Sequence, residues 1–132
     1  MGCMPRKKTP NHKIIHFEIP AKNPEKAMKF YSEALGWSFD KWTGPIPYWF
    51  TKSGPKSAPG IEGAIAKKEK PDDIVVNTIG VTNIDDVINK IKKHGGKITN
   101  DKHAIPGEGW IAYFEDLDGN TFGIMESDPN AK

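Results

Sequence analysis

One cysteine, Cys3, occurs in 132 residues. That excludes an internal disulfide framework and removes any need for an oxidising compartment. No apolar run approaches the ~20 residues of a membrane-spanning helix. The basic residues Arg6, Lys7 and Lys8 are followed by no apolar stretch, so the N-terminus does not read as a secretory signal. Met1-Gly2-Cys3 lacks the Ser or Thr at position 6 that myristoylation favours, since Arg6 stands there. Charge of one sign is scarce too. The formal net charge is +2, and lysines are mixed with Asp and Glu, so the basic stripe of a nucleic-acid binder is missing. There is no nucleophile elbow, no phosphate-binding glycine loop and no Cys/His zinc cluster. The expectation is a cytoplasmic protein whose partners include neither nucleic acid nor membrane.

What is present suits a packed domain. Hydrophobic residues make up 36% and charged residues 27%, with six Phe, four Trp and three Tyr, enough aromatic surface to exclude a disordered chain. Lys13 to Ile19 alternates, with Ile15, Phe17 and Ile19 on one face and Ile14, His16 and Glu18 on the other, as a half-buried strand does. Pro20 is expected to end it. Asn23-Pro24 starts a helix, with an apolar stripe of Ala27, Phe30, Tyr31, Ala34 and Leu35 and Gly36 as its stop. Strand-like runs follow at Trp37 to Trp42, Tyr48 to Lys52 and Ile61 to Ala66, separated by Gly/Pro-rich pieces.

The pattern then repeats. Ile74 to Val81 reads as a strand, and Asn83 caps a helix carrying Ile84, Val87, Ile88 and Ile91 that ends at Gly95-Gly96. Further strands are expected at Lys97 to Ile105 (with a break near Asp101), Trp110 to Glu115 and Thr121 to Met125. Asn83 follows Asn23 by 60 residues, as Gly96 follows Gly36 and Trp110 follows Phe50. A period this long indicates a duplicated β-α-β-β-β unit rather than a solenoid. The expected organisation is a basic tail over 1–12, a single domain over 13–127 and a short tail over 128–132. Within the domain, module one is 13–67, the joint 68–73 and module two 74–127. The fold class is α+β, two paired modules forming an open, curved mixed sheet around a cleft for a small-molecule ligand.

His16-Phe17-Glu18-Ile19-Pro20, the helix end Phe30 to Trp37 (FYSEALGW) and Asp116 to Gly123 (DLDGNTFG) together resemble the vicinal oxygen chelate superfamily. Pro106 to Asp116 (PGEGWIAYFED) fits the same resemblance. That superfamily includes glyoxalase I, extradiol dioxygenases and bleomycin-resistance proteins. The resemblance implies one divalent metal ion in the enzymes, held from the first and last strands of each module. Here His16 occupies the first position and Glu62 is the candidate for the second. Val76 and Gly123 stand at the third and fourth and cannot ligate, and Glu126 lies three residues beyond Gly123. The metal set is therefore expected to be incomplete.

His16 and Glu62 are the candidate catalytic and metal-binding residues. Glu18, Tyr48, Trp49, Thr78, Trp110 and Tyr113 are the candidate substrate-binding residues, since Trp and Tyr join a large apolar surface to one polar handle. Strand alternation lets no more than about half of the aromatics face a cleft. The leading reading is a glyoxalase/bleomycin-resistance-related binder of a small organic molecule. Alternatives are a divalent-metal-dependent lyase, isomerase or dioxygenase, and sheet faces that serve only assembly of a homodimer.

Overall fold

The structure, a computed structural model, describes residues 12–132; the basic tail and Cys3 lie outside them. Contacts divide the described chain into two compact units, His16–Val76 and Asn77–Lys132, the latter joined by residues 12–15. Each unit is a β-α-β-β-β module.

In module one, β1 (Lys13–Ala21) leads to α1 (Pro24–Leu35), then β2 (Ser38–Lys41), β3 (Tyr48–Lys52) and β4 (Ala64–Lys67). The strands stand in the order β2-β3-β4-β1. β1 pairs β4 in parallel, and the other two pairings are antiparallel. Pro20 does not end β1: it pairs with Ala66, and Ala21 continues to Lys67. Proline's fixed φ suits an extended strand, and its missing N–H removes one donor from the ladder without breaking it.

The caps are as local chemistry dictates. Asn23 Oδ1 accepts from the Lys26 N–H, and Gly36 closes α1 in the left-handed conformation at φ 75°. The buried row on α1 differs from the expected stripe. Pro24, Ala27, Met28 and Tyr31 face inward, whereas Phe30 is 62% exposed and Leu35 is exposed as well. Two apolar rows share Ala27 and Tyr31, and in the fold the row with Pro24 and Met28 turns inward; Tyr31 stacks on Trp37, with ring centroids 5.0 Å apart. Trp37 also meets Phe17 at 6.3 Å and Phe39 at 6.5 Å. The helix therefore covers the sheet face that carries Phe17 and Phe39. By alternation His16 and Glu18 lie on the other face.

β4 begins later than expected, at Ala64, and Gly63 just before it passes tightly by Phe17. A side chain there would collide with the Phe17 carbonyl oxygen and ring.

Module two repeats this with β5 (Val76–Gly80), α2 (Ile84–Lys93), β6 (Lys97–Ile105), β7 (Gly109–Glu115) and β8 (Thr121–Ser127), in the order β5-β8-β7-β6. Asn83 Oδ1 accepts from the Asp86 N–H. The left-handed residue after the helix is Gly95, at φ 93°, one position earlier than its counterpart Gly36 in the 60-residue register. β6 is one continuous strand by hydrogen bonding, but its register on β7 shifts between Ile98 and Asn100 and again between Asn100 and His103. The core packs Val81, Ile84, Ala112 and Ile124 against Ile79, Val87, Ile88, Ile91, Trp110 and Phe114.

Residues 128–132 are tied to the β6–β7 turn. Asp128 N–H donates to Glu108 O, Gly107 N–H donates to Ala131 O, and Ala131 is 3% exposed. No helix among the described residues is long and apolar enough to cross a membrane.

Candidate functional site

The chemistry on the face of module one turned away from α1 begins with two alanines. β4 lies between β1 and β3, and on the face away from α1 it presents Ala64 and Ala66. Their small side chains let His16 on β1 lean across β4 and meet Tyr48 on β3. His16 Nε2 and the Tyr48 hydroxyl are 2.7 Å apart, and the rings are nearly parallel, 19° between planes. Ala64 is covered completely, at 0% exposure. The same Tyr48 hydroxyl hydrogen-bonds Glu18, so one phenol joins an imidazole and a carboxyl that start two residues apart on β1.

Aromatic rings continue this face. Trp42 and Phe50 flank Tyr48 in edge-to-face contacts, with centroids 5.7 and 5.4 Å from it and planes turned by 67° and 79°. Gly44 lies flat against the Trp42 indole, where any side chain would overlap the ring. A Trp42 N–H to Tyr48 O bond of 2.8 Å closes the β2–β3 turn that places the indole.

Burial sets the electrostatics. It pushes the His16 imidazole below its ordinary value, since the charged form loses hydration. It pushes the Glu18 carboxyl up, against the opposing pull of the Tyr48 hydrogen bond, and the negative charges of Glu69 and Asp73 add to the rise. Among the described residues, His16 has no polar partner besides Tyr48. No side-chain nitrogen or oxygen there is both fully covered and unpaired.

Glu62 takes a different place. Its carboxylate accepts from Thr51 Oγ1 at 2.8 Å, from Ser53 N–H at 2.9 Å and from Ser53 Oγ at 2.8 Å. Its slight burial favours the neutral form, but these three bonds outweigh that and hold the carboxyl below its ordinary value. Thr51 alternates with Phe50 and so stands on the face opposite Tyr48. The polar contacts of His16 and of Glu62 share no member. Glu62 also misses the expected strand position. Glu18 pairs with Ala64 as Thr78 pairs with Gly123, so Ala64 is the counterpart of Gly123 and Glu62 precedes the strand.

In module two the candidates separate by face. Thr78 and Tyr113 flank Gly123, and a Cβ built there would lie 3.0 Å from Thr78 Oγ1 and 3.3 Å from the Tyr113 ring. Those two side chains take the room a ligating side chain at 123 would need. Trp110 turns to the α2 side, packs on the core and donates its indole N–H to Asp128 Oδ2 at 3.1 Å. Lys102 lies over its ring at 4.9 Å. Trp49 pairs with Ile65 and alternates with Tyr48, so it too faces away from His16. Glu126 pairs with Trp110 without a bulge, and its Oε1 accepts from the Ile84 N–H at 2.9 Å. It caps the N-terminus of α2, where a carboxylate is favoured.

These residues do not fit a divalent-ion centre of the kind the resemblance implies. Among the described residues no three of His, Cys, Asp and Glu gather at one place. Val76 and Gly123 offer no ligating atom, Glu62 is taken by Thr51 and Ser53, and Glu126 serves α2. Only His16 and Glu18 converge, through Tyr48. Trp42 and Phe50 were not singled out by sequence reasoning; the alternation of Ala64 and Ala66 in an otherwise apolar strand was the signal for an open floor beneath them.

Comparison with known proteins agrees with the geometry of the fold. The profile of the glyoxalase/bleomycin resistance protein/dioxygenase superfamily matches residues 13–124. A glyoxylase-like domain-containing protein of Didymella fabae is 35% identical over 118 residues, covering 84% of this chain and 91% of the relative. Among solved structures, a hypothetical protein of Bacillus halodurans superposes with a TM-score of 0.68 at 16% identity, covering 92% of this chain and 98% of that one. The methylmalonyl-CoA epimerase of Mycobacterium tuberculosis gives 0.64 at 16% identity, covering 88% of each chain. A methylmalonyl-CoA epimerase solved with methylmalonyl-CoA and NH4+ gives 0.67 at 14%, covering 93% and 99%. At such identities the structural likeness establishes the shared fold.

Proposed function

Because this chain belongs to the glyoxalase/bleomycin resistance protein/dioxygenase superfamily, we propose that it binds a small organic molecule on the open sheet face of module one. His16, Glu18 and Tyr48 form the polar end of that site, and Trp42 and Phe50 form its apolar wall. The observation that carries this reading is the hydroxyl-bridged pair: Tyr48 joins His16 and Glu18 on the face not covered by α1. A half-buried imidazole and carboxyl set among aromatic rings is an arrangement suited to orienting an organic ligand, with few polar groups among many apolar ones.

Tyr48→Phe tests it. The variant keeps the ring but removes the hydroxyl that two part-buried groups use, so stability should fall by about 1–3 kcal/mol. Compounds from a metabolite library that raise the melting temperature of the natural protein should lose most of that effect on the variant. Equal protection of both proteins would place the binding elsewhere and sink the reading.

Assembly as a homodimer belongs to the same proposal, supported by the exposed apolar side chains of Phe30, Leu35, Ile74 and Val75. Sedimentation velocity should return twice the chain mass at micromolar concentration; a monomer across that range would remove this part.

A further inference from the structure

The charge around Glu18 is one-sided. None of the ion pairs among the described residues includes it. Its hydrogen-bond partner is the neutral Tyr48, and the charges acting on it are those of Glu69 and Asp73, both negative. Lys52, on the same face two residues beyond Phe50, is taken by Asp40 at 2.7 Å, and Lys68 and Lys70 act on Asp73. Lys67 pairs with Ala21 and so points to the α1 side. A half-buried carboxyl that enters no ion pair among the described residues is an electrostatic deficit that a ligand can fill.

The rings beside it have a matching geometry. Trp42, Tyr48 and Phe50 follow one another with planes turned by 67° and 79°, so their faces meet at near right angles. Ring faces carry the negative end of the aromatic quadrupole, and a corner of such faces attracts a cation whose hydration is weak. Phe50 is 39% exposed in the middle of its strand, so its own ring meets solvent. A metal ion would require ligating atoms that the rings do not supply, whereas an alkylated ammonium requires none.

We propose that this face binds a small organic ammonium ion, its charge set against the Glu18 carboxylate and its alkyl groups against Trp42, Tyr48 and Phe50. The proposal rests on the reading of this face as the ligand site and adds the charge and shape of the ligand. His16 then fixes the carboxylate indirectly, through the Tyr48 hydroxyl they share.

Calorimetric titration with choline, and with its carbon isostere in which the quaternary nitrogen is replaced by carbon, tests the proposal on the full chain. Choline should bind at least about tenfold more tightly than the isostere, and Glu18→Gln should remove that preference. Phe50→Leu, at an exposed position where folding is little affected, should weaken choline several-fold and serves as the second variant if Glu18→Gln proves unstable. Equal affinity for the two probes overturns the ammonium reading while leaving the face a ligand site. Choline binding that Glu18→Gln and Phe50→Leu leave unchanged overturns it as well, and so does failure of choline to bind. In that last case the Tyr48→Phe comparison with library compounds decides separately whether the face binds ligands at all.

Discussion

Ala64→Leu should destabilise the protein by about 1–3 kcal/mol and, in the same stroke, separate His16 from Tyr48. Ala64 is fully covered, on the strand over which those two side chains reach each other. Three added carbons have no room beneath that bridge. Either the bridge lifts and breaks or the sheet shifts, and both outcomes have a cost. Urea unfolding gives the stability change, and the His16 ring resonances report the loss of the Tyr48 contact. A variant with natural stability and an unchanged imidazole environment would show that the alanine floor is not what permits the bridge. Ala64→Ser, nearly isosteric, is the control that should leave the contact in place.

Ile124→Ala should cost more, about 2–5 kcal/mol. Ile124 is fully buried in module two among Val81, Ile84 and Ala112. Its removal leaves a cavity between α2 and the middle of the sheet, bounded by the strand pairs Ile79↔Ile124 and Ala112↔Ile124. Those neighbours are anchored by hydrogen bonds on both sides, so the space collapses poorly. The midpoint of urea unfolding should fall strongly with little change of slope. A shift under about 0.5 kcal/mol, the range of an ordinary surface substitution, would contradict the assignment of Ile124 to the core.

Much of the architecture was legible because it is written locally. Asn23 and Asn83 declare helix starts through their own side chains, and Gly36 and Gly95 declare ends through backbone freedom. The alternation of Ile15, Phe17 and Ile19 against His16 and Glu18 gave the two faces of β1 correctly. The 60-residue register exposed the duplication, although the left-handed residue after α2 fell one place early. What failed was lateral information. The face of α1 could be read along two overlapping rows that share Ala27 and Tyr31, and only the folded packing turns Pro24 and Met28 inward rather than Phe30 and Leu35. The partner of Glu62 is set by the return of the 53–63 loop onto β3, which no periodicity encodes. Glu126 ends up on the backbone of Ile84, 42 residues away in sequence, a contact that exists only once β8 lies beside α2. His16 and Glu18 were visible as same-face neighbours. That Tyr48 would join them depends on β4 standing between β1 and β3, a fact of strand order.

The register shifts of β6 bear on how the margin of its sheet meets other chains. β6 pairs only with β7 and forms the outer margin of its module's sheet, with Lys97 and Lys102 along its length. An uninterrupted outer strand would offer foreign chains an evenly spaced row of donors and acceptors to zip onto. Two slips in spacing, with Lys97 and Lys102 set along the strand, make that template a poor one for a foreign chain to extend.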